Sequence, residues 1–400
     1  MVATALVVFA VLSHLRGSDE WHATVTPLAS IIGSGFLVVA PLLGSITGAF
    51  AVLAMAGIVA LAYAVGGAVR YNIAEVEHLV ETESGQGRLT GLFVWGARSS
   101  KVALAAAYVI AVAFYLELLG AFGLRLFGVE DATAQKIGAS VLVVFIGAVG
   151  IVRGLGLLER LETHAVDTKL AVIAALLLGL VAYNVSRAWA GEWTLPSVDA
   201  RWDWSTVRRL LGAFLVVQGF ETSRYLGDEY PAETRIRTMR TAQWISGGIY
   251  VAFVGLATVL LDRVDTASET AIIELSAAVT FALPYLLLLG AVMSQFSAAV
   301  ADTIASGGLA EEGSRGVVST RLAYAAVVVL VLCLLWATDL FSIIAYASRA
   351  FAVYYALQAS MAAVHAWTED ARSRSAWFGA LAMAMLATAI FGIPAESGSS

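Results

Sequence analysis

The sequence predicts an all-α polytopic membrane protein, and two observations carry that prediction. Apolar residues make up 60% of the 400 residues and charged residues only 14%, whereas a soluble domain is closer to half apolar and a quarter charged. Runs of about 18–25 mostly apolar residues also recur along the whole chain, and each run is long enough to cross a bilayer as a helix. The net charge of −6 is small for this length, and the basic residues lie in short loops, which argues against nucleic acid as a partner.

Counting the apolar runs in order gives about eleven predicted helices. They lie near 25–44, 47–71, 102–126, 136–153, 166–186, 206–226, 240–261, 279–305, 320–337, 340–366 and 376–393. A shorter run, Val2–Leu15, precedes them and lacks the features of a signal peptide. The sequence leaves open whether this run spans the membrane. We therefore divide the chain into an N-terminal segment (1–21), a core (22–375) and a final helix with a short tail (376–400).

The distribution of Lys and Arg predicts the orientation in the membrane. If the 25–44 helix starts in the cytoplasm, the cytoplasmic loops hold roughly thirteen of these residues and the outer loops roughly seven. We therefore expect a multi-pass protein of the cell membrane, with the N-terminal end of the first helix in the cytoplasm.

Two predicted helices contain glycine at membrane depth. The stretch SIIGSGFLV in the first helix contains Gly33, Ser34 and Gly35, and the stretch QGFE, 218–221, interrupts the sixth. Glycine costs about 1 kcal/mol relative to alanine inside a helix, and backbone groups freed by a break in lipid need new partners. One explanation is that each glycine only permits close helix packing. The other is a pair of broken helices at corresponding positions of an inverted repeat, which marks a transporter's central site.

The spacing of the two interruptions favours the inverted repeat. The two halves, about 25–186 and 206–366, each open with a glycine-containing helix and each hold five predicted helices. Because five is an odd number, the second half must enter the membrane from the opposite side.

Three stretches together resemble the amino acid–polyamine–organocation (APC) superfamily. SIIGSGFLV is similar to its first-helix signature, VVQGFETSRYLGDEYPAETRIRTM to its sixth helix and following loop, and VRGLGLLERLETHAVDTKLAVI to its connection between the fourth and fifth helices. The resemblance covers most of residues 25–366 and implies the leucine-transporter fold, a five-plus-five inverted repeat with broken first and sixth core helices. The sequence departs from the family at 229–232 and has no helix after 393, which leaves the substrate and any dimer surface open.

The two expected breaks suggest where a substrate would bind. Unwinding of the first helix would expose N–H groups to a carboxylate, and the second break would offer carbonyl groups to a cationic group. A zwitterionic amino acid satisfies both ends. The expected substrate-binding residues are Ile32, Gly33, Ser34, Gly35, Gln218, Gly219, Phe220 and Tyr108.

Two intramembrane charges have roles implied by the resemblance. Lys169 resembles the lysine that takes the place of a sodium ion in sodium-independent members, where Ser294 and Ser297 of the eighth helix would meet it. Glu221 matches the family's gating or proton-carrying carboxylate. The alternatives are a lysine that snorkels to the cytoplasmic boundary and a local ion pair of Glu221 with Arg224.

These observations predict a secondary active transporter of amino acids or related amines, sodium-independent, with proton coupling or exchange. The alternatives are an inorganic cation carrier on the same fold and a membrane sensor or scaffold that does not transport. The motifs of hydrolases and nucleotide-binding enzymes are missing from the sequence, so we expect neither an enzyme nor a cofactor. The five dispersed histidines suggest no metal site. The expected partners are a small-molecule substrate and the lipid bilayer, and a homodimer is left open.

Overall fold

The computed structural model describes residues 18–81, 88–125, 127–129, 131–153, 156–196, 202–227, 229–263, 271–281 and 283–395. All regular structure within these residues is helical, which confirms the predicted all-α class. The apolar run Val2–Leu15 lies outside the described residues. The division into segments and the inverted repeat remain predictions.

The helices follow the predicted order along the chain. They are α1 (Asp19–Thr47), α2 (Ala51–Tyr71), α3 (Arg88–Arg125), α4 (Ala132–Arg153), α5 (Gly156–Trp189), α6 (Trp204–Gly212), α7 (Ala232–Ala257), α8 (Leu283–Gly313), α9 (Thr320–Ala337), α10 (Leu340–Thr368) and α11 (Arg372–Phe391). A π-helical turn, Asn72–Val76, extends α2, and a short helix, Ala271–Val279, precedes α8.

Most of these helices have the length and composition of membrane spans. Nine stretches of the described residues are long and apolar enough to cross a bilayer. One of the nine, Gly35–Val80, contains both the end of α1 and all of α2, and the short α6 is not among them. The prediction of about eleven helices agrees with this once α1 and α2 are counted separately and the interrupted sixth helix is included.

The first helix is continuous, so the predicted break at Gly33–Gly35 was wrong. The α-helix runs from Asp19 to Thr47 without interruption, and neither glycine has a positive φ. An α-helix accommodates glycine at a cost of about 1 kcal/mol, which a favourable contact can offset. The glycines of α1 therefore need an explanation other than unwinding.

The sixth helix is interrupted, as predicted. After α6 ends at Gly212, the chain forms a 3₁₀ turn at Phe214–Val217, becomes extended at Gln218, and forms a second 3₁₀ segment at Phe220–Tyr225. Gly219 lies between the two turns with φ of 117°, in the region that favours glycine because it has no Cβ. We call residues 213–225 the broken segment.

Helix α3 lies at the centre of the packing. It contacts α8 on one side and α10 on the other, and nearly all its side chains from Leu104 to Phe122 are buried. The broken segment packs against α1, and α1 also packs against α7, where the ring of Phe36 lies 4.5 Å from that of Phe253. These elements enclose the candidate site.

Candidate binding cavity

A cavity of about 410 Å³ lies between α1, α3, α5, α8 and the broken segment. One face of α8 forms much of its wall, because its lining residues recur every three or four positions. These residues are Ser294, Ser297, Ala298, Ala301, Asp302, Ile304, Ala305, Gly308, Leu309 and Glu312. They extend over roughly 27 Å of helix at 1.5 Å per residue, so the cavity reaches deep into the protein.

The cavity opens at one end. Three of its lining residues, Thr26, Gly308 and Glu312, are exposed, and they lie near the N-terminal end of α1 and the C-terminal end of α8. The lining residues Tyr115 and Ser294 are buried at the other end. The orientation expected from the basic residues places the mouth in the cytoplasm.

The glycines of α1 allow close contact with the broken segment. A Cβ on Gly35 would lie against Cα of Val216 and 2.5 Å from its Cβ. From the other side, a Cβ on Gly219 would lie 2.5 Å from Oγ of Ser30 and 2.6 Å from N of Ile31. The backbones of the two elements therefore meet directly, and the packing explanation applies to Gly35. In an intact helix the N–H groups point along the helix axis towards preceding carbonyls, so the predicted N–H site for a carboxylate is not formed.

Three side chains from three other helices bind carbonyl oxygens of α1. Nζ of Lys169 donates to the carbonyl of Ala29 at 2.7 Å, and the hydroxyl of Tyr250 donates to that of Ile31 at 2.8 Å. Nε2 of Gln295 lies 3.5 Å from the carbonyl of Gly33. These donors belong to α5, α7 and α8, so three helices are tied to the part of α1 that borders the cavity.

Lys169 lies between α5, α1 and α8, where the resemblance placed it. Its side chain lines the cavity together with Ser294 and Ser297, and a Cβ on Gly33 would lie 3.4 Å from its Nζ. Because the ammonium group binds Ala29 in α1, the geometry does not match the alternative of a lysine extended to the cytoplasmic boundary.

The other predicted binding residues lie behind the cavity wall. Gln218 is buried and donates from Nε2 to the hydroxyl of Tyr115 at 3.3 Å. Phe220 is buried and its ring stacks on that of Tyr355 at 4.9 Å. Ile32 is buried and lines a much smaller apolar cavity beside Lys169.

Tyr108 is therefore the predicted binding residue that lines the large cavity, among those whose side chains the structure describes. The side chain of Ser34 lies outside the described part. Gly219 packs on Ser30 and Ile31, and its carbonyl accepts from the hydroxyl of Thr222 at 2.7 Å.

Glu221 is completely buried and accepts three hydrogen bonds. The donors are the hydroxyl of Tyr355 at 2.5 Å, the backbone N–H of Gly219 at 2.9 Å and the hydroxyl of Tyr108 at 3.3 Å. Arg224, the alternative partner expected from sequence, donates to Gln358 of α10. Tyr108 thus connects the cavity wall to the buried carboxylate.

Several cavity residues were not selected from the sequence, and Asp302 is the most notable. The cavity is also lined by Tyr115, Asp302, Ser30, Thr222 and Tyr225, none of which was among the expected substrate-binding residues. The small and polar residues of α8 recur every three to four positions, and this periodicity could have identified the lining face. Within the described residues, no three His, Cys, Asp or Glu side chains are grouped to hold a metal ion.

A helical membrane protein with a deep cavity beside a broken helix has the architecture of a secondary transporter. A family model described as an APC superfamily transporter matches residues 13–392. The chain therefore belongs to the APC superfamily of transporters and is a multi-pass integral membrane protein, which confirms the resemblance found in the motifs. It is also 43% identical over 379 residues to an uncharacterized protein of Aquifex aeolicus (strain VF5), covering 94% of this chain and 91% of the relative.

Proposed function

We propose that this transporter carries amino acids or related amines across the cell membrane by alternating access. The observation that carries the proposal is the cavity of about 410 Å³, which reaches from an exposed mouth to the contact between α1 and the broken segment. Cavities of roughly 300–1,000 Å³ are typical for small organic ligands. A bare inorganic ion needs far less space, so the volume favours the organic substrate over the inorganic cation.

In the proposed cycle the described conformation is the inward-open state, because the expected orientation places the mouth in the cytoplasm. On the side away from the mouth, Phe36 packs against Phe253 and Tyr250, with ring centroids 4.5 Å and 5.9 Å apart, and the helix Ala271–Val279 is largely buried. Opening to the outside then requires α1 to move against α7. The contact of Gly35 with Val216 makes α1 and the broken segment move together.

The proposed transport is independent of sodium. The ammonium group of Lys169 supplies a fixed positive charge between α5, α1 and α8, and it binds the carbonyl of Ala29. The resemblance implies that such a lysine takes the place of a sodium ion. For energy coupling we propose a proton, or else exchange of one substrate for another. Glu221 is the group that would take up the proton, because it is fully buried and one hydrogen bond away from the cavity residue Tyr108.

Uptake into proteoliposomes tests the proposal. Purified full-length protein in liposomes should accumulate label from a mixture of radiolabelled amino acids, above liposomes without protein, and unlabelled amino acids should compete. Equal label in both preparations would favour a sensor or scaffold. Uptake of rubidium or thallium that amino acids do not inhibit would favour the inorganic cation carrier.

A further inference from the structure

Asp302 is a buried carboxylate on the cavity wall that the proposed cycle does not use. It lines the cavity on α8 and is 6% exposed. It lies eleven positions before the end of α8 at Gly313, which corresponds to roughly 16 Å of helix. A carboxylate at such depth in a membrane protein is costly and usually faces a cavity where it serves function.

The groups around Asp302 are suited to a cation. Tyr108 and Tyr115 of α3 line the same cavity, and Asp302 lies close enough to both to interact with them electrostatically. Tyr225 of the broken segment lines the cavity as well. A carboxylate forms strong hydrogen bonds with a protonated amine, and the faces of aromatic rings attract the same group.

The position of Asp302 relative to Lys169 sets the length of the ligand. A Cβ added to Gly33 would lie 3.4 Å from Nζ of Lys169 and 4.0 Å from Cβ of Ala298. Ala298 therefore lies at the same depth along α8 as the ammonium group of Lys169. Asp302 follows Ala298 by one helical turn, roughly 6 Å towards the mouth. An extended chain of five bonds, each about 1.5 Å long, also spans roughly 6 Å. This is the reach from the α-carbon of an amino acid to an amine at the end of a four-carbon side chain.

We propose that Asp302 determines the charge of the substrate by binding a protonated amine at the far end of its side chain. The amino acid head group lies deeper, beside Ser30 and Lys169, and the side chain points towards the mouth. The transporter then prefers cationic amino acids to neutral ones of equal length. The inference rests on the proposed function and deepens it.

The matched probes are L-lysine and L-norleucine, which have side chains of the same carbon length and differ in the terminal amine. Binding to the purified full-length protein in detergent is measured by thermal stabilisation, since a ligand that binds the folded state raises apparent stability by mass action. In the unaltered protein, lysine should bind at least about tenfold more tightly than norleucine. In Asp302→Asn, lysine binding should weaken about 10- to 100-fold, the effect expected for a hydrogen bond to a charged group, whereas norleucine binding should change less than about threefold.

Glu311→Gln is the control, because it removes the same charge from α8 at a position that does not line the cavity. Glu311 is exposed and accepts a hydrogen bond from Thr320, so the preference for lysine should persist. Asp302→Glu keeps the carboxylate and should keep the preference for lysine over norleucine. The melting temperature without ligand and gel filtration report whether Asp302→Asn folds, and Asp302→Glu still tests the inference if it does not.

Each other outcome overturns the inference. Equal binding of lysine and norleucine to the unaltered protein, or an equal loss of both in Asp302→Asn, would reduce Asp302 to a structural residue. If norleucine is bound and transported without a preference for lysine, the inference fails and the proposed function stands. If neither an amino acid of any charge nor a related amine binds or is taken up, both fail.

Discussion

Replacing Gly35 by alanine tests whether the glycines of α1 serve packing rather than unwinding. The added Cβ would lie against Cα of Val216 in the broken segment. Because that atom belongs to the backbone, it cannot rotate away as the end of a side chain would. Gly33→Ala is a matched control two residues away on the same helix. Its Cβ would lie 3.4 Å from Nζ of Lys169 and 4.0 Å from Cβ of Ala298, both ordinary contacts.

The expected difference in stability follows from these contacts. Both substitutions gain up to about 1 kcal/mol from the better helix propensity of alanine. Gly35→Ala also incurs the cost of overpacking, typically about 1–3 kcal/mol. The free energy of unfolding of Gly35→Ala should therefore lie about 1–3 kcal/mol below that of Gly33→Ala, and Gly33→Ala should equal or exceed the unaltered protein.

Thermal melting of the purified variants in detergent, at one scan rate, measures this difference. Gly35→Ala should melt a few degrees below Gly33→Ala and should also lose substrate uptake, because the two elements beside the cavity are forced apart. If both variants melt and transport alike, α1 does not press on the broken segment through Gly35, and the packing explanation is refuted.

Two further predictions concern the intramembrane charges Lys169 and Glu221. Uptake by the unaltered protein should be the same when choline replaces sodium. Lys169→Ala should lower uptake at least tenfold with little loss of expression. Strict sodium dependence of uptake would contradict the role given to Lys169. Acid outside should stimulate uptake, and Glu221→Gln should fold, bind substrate and lose that response. The variant should fold because the Gln oxygen can still accept from Tyr355 and Gly219, while its amide nitrogen donates to the hydroxyl of Tyr108. An unchanged pH profile would reduce Glu221 to a structural acceptor.

The two glycine signatures show how far a local pattern can predict backbone geometry. Both were predicted to mark breaks; the second does and the first does not. Gly219 is required for its dihedral angle, a φ of 117°, but Gly35 is required for its contact with Val216. A contact between residues 181 positions apart in the sequence depends on how the helices pack, and no local pattern carries that information.

The charged residues show a similar division. The resemblance placed Lys169 between α1 and α8, and the structure has it there with a bond to Ala29. The partners of Glu221 were not predictable, because Tyr108 and Tyr355 come from α3 and α10, whereas sequence proximity suggested Arg224. Asp302 was not among the predicted site residues, because its importance depends on a cavity that several helices form together.

Chemical modification of a single cysteine tests most directly whether the substrate occupies the cavity lined by α8. In a chain whose only native cysteine is removed by Cys333→Ser, Ser297→Cys would place a thiol on the cavity wall, roughly 22 Å of helix inward from Glu312. A membrane-impermeant thiol reagent should reach it from the cytoplasmic side, and an amino acid that the protein takes up should slow the reaction. Ser45→Cys, exposed near the other end of α1, should react from the outside at a rate that the amino acid does not change. Reaction of Ser297→Cys from the cytoplasm at the same rate with and without a transported amino acid would contradict the account.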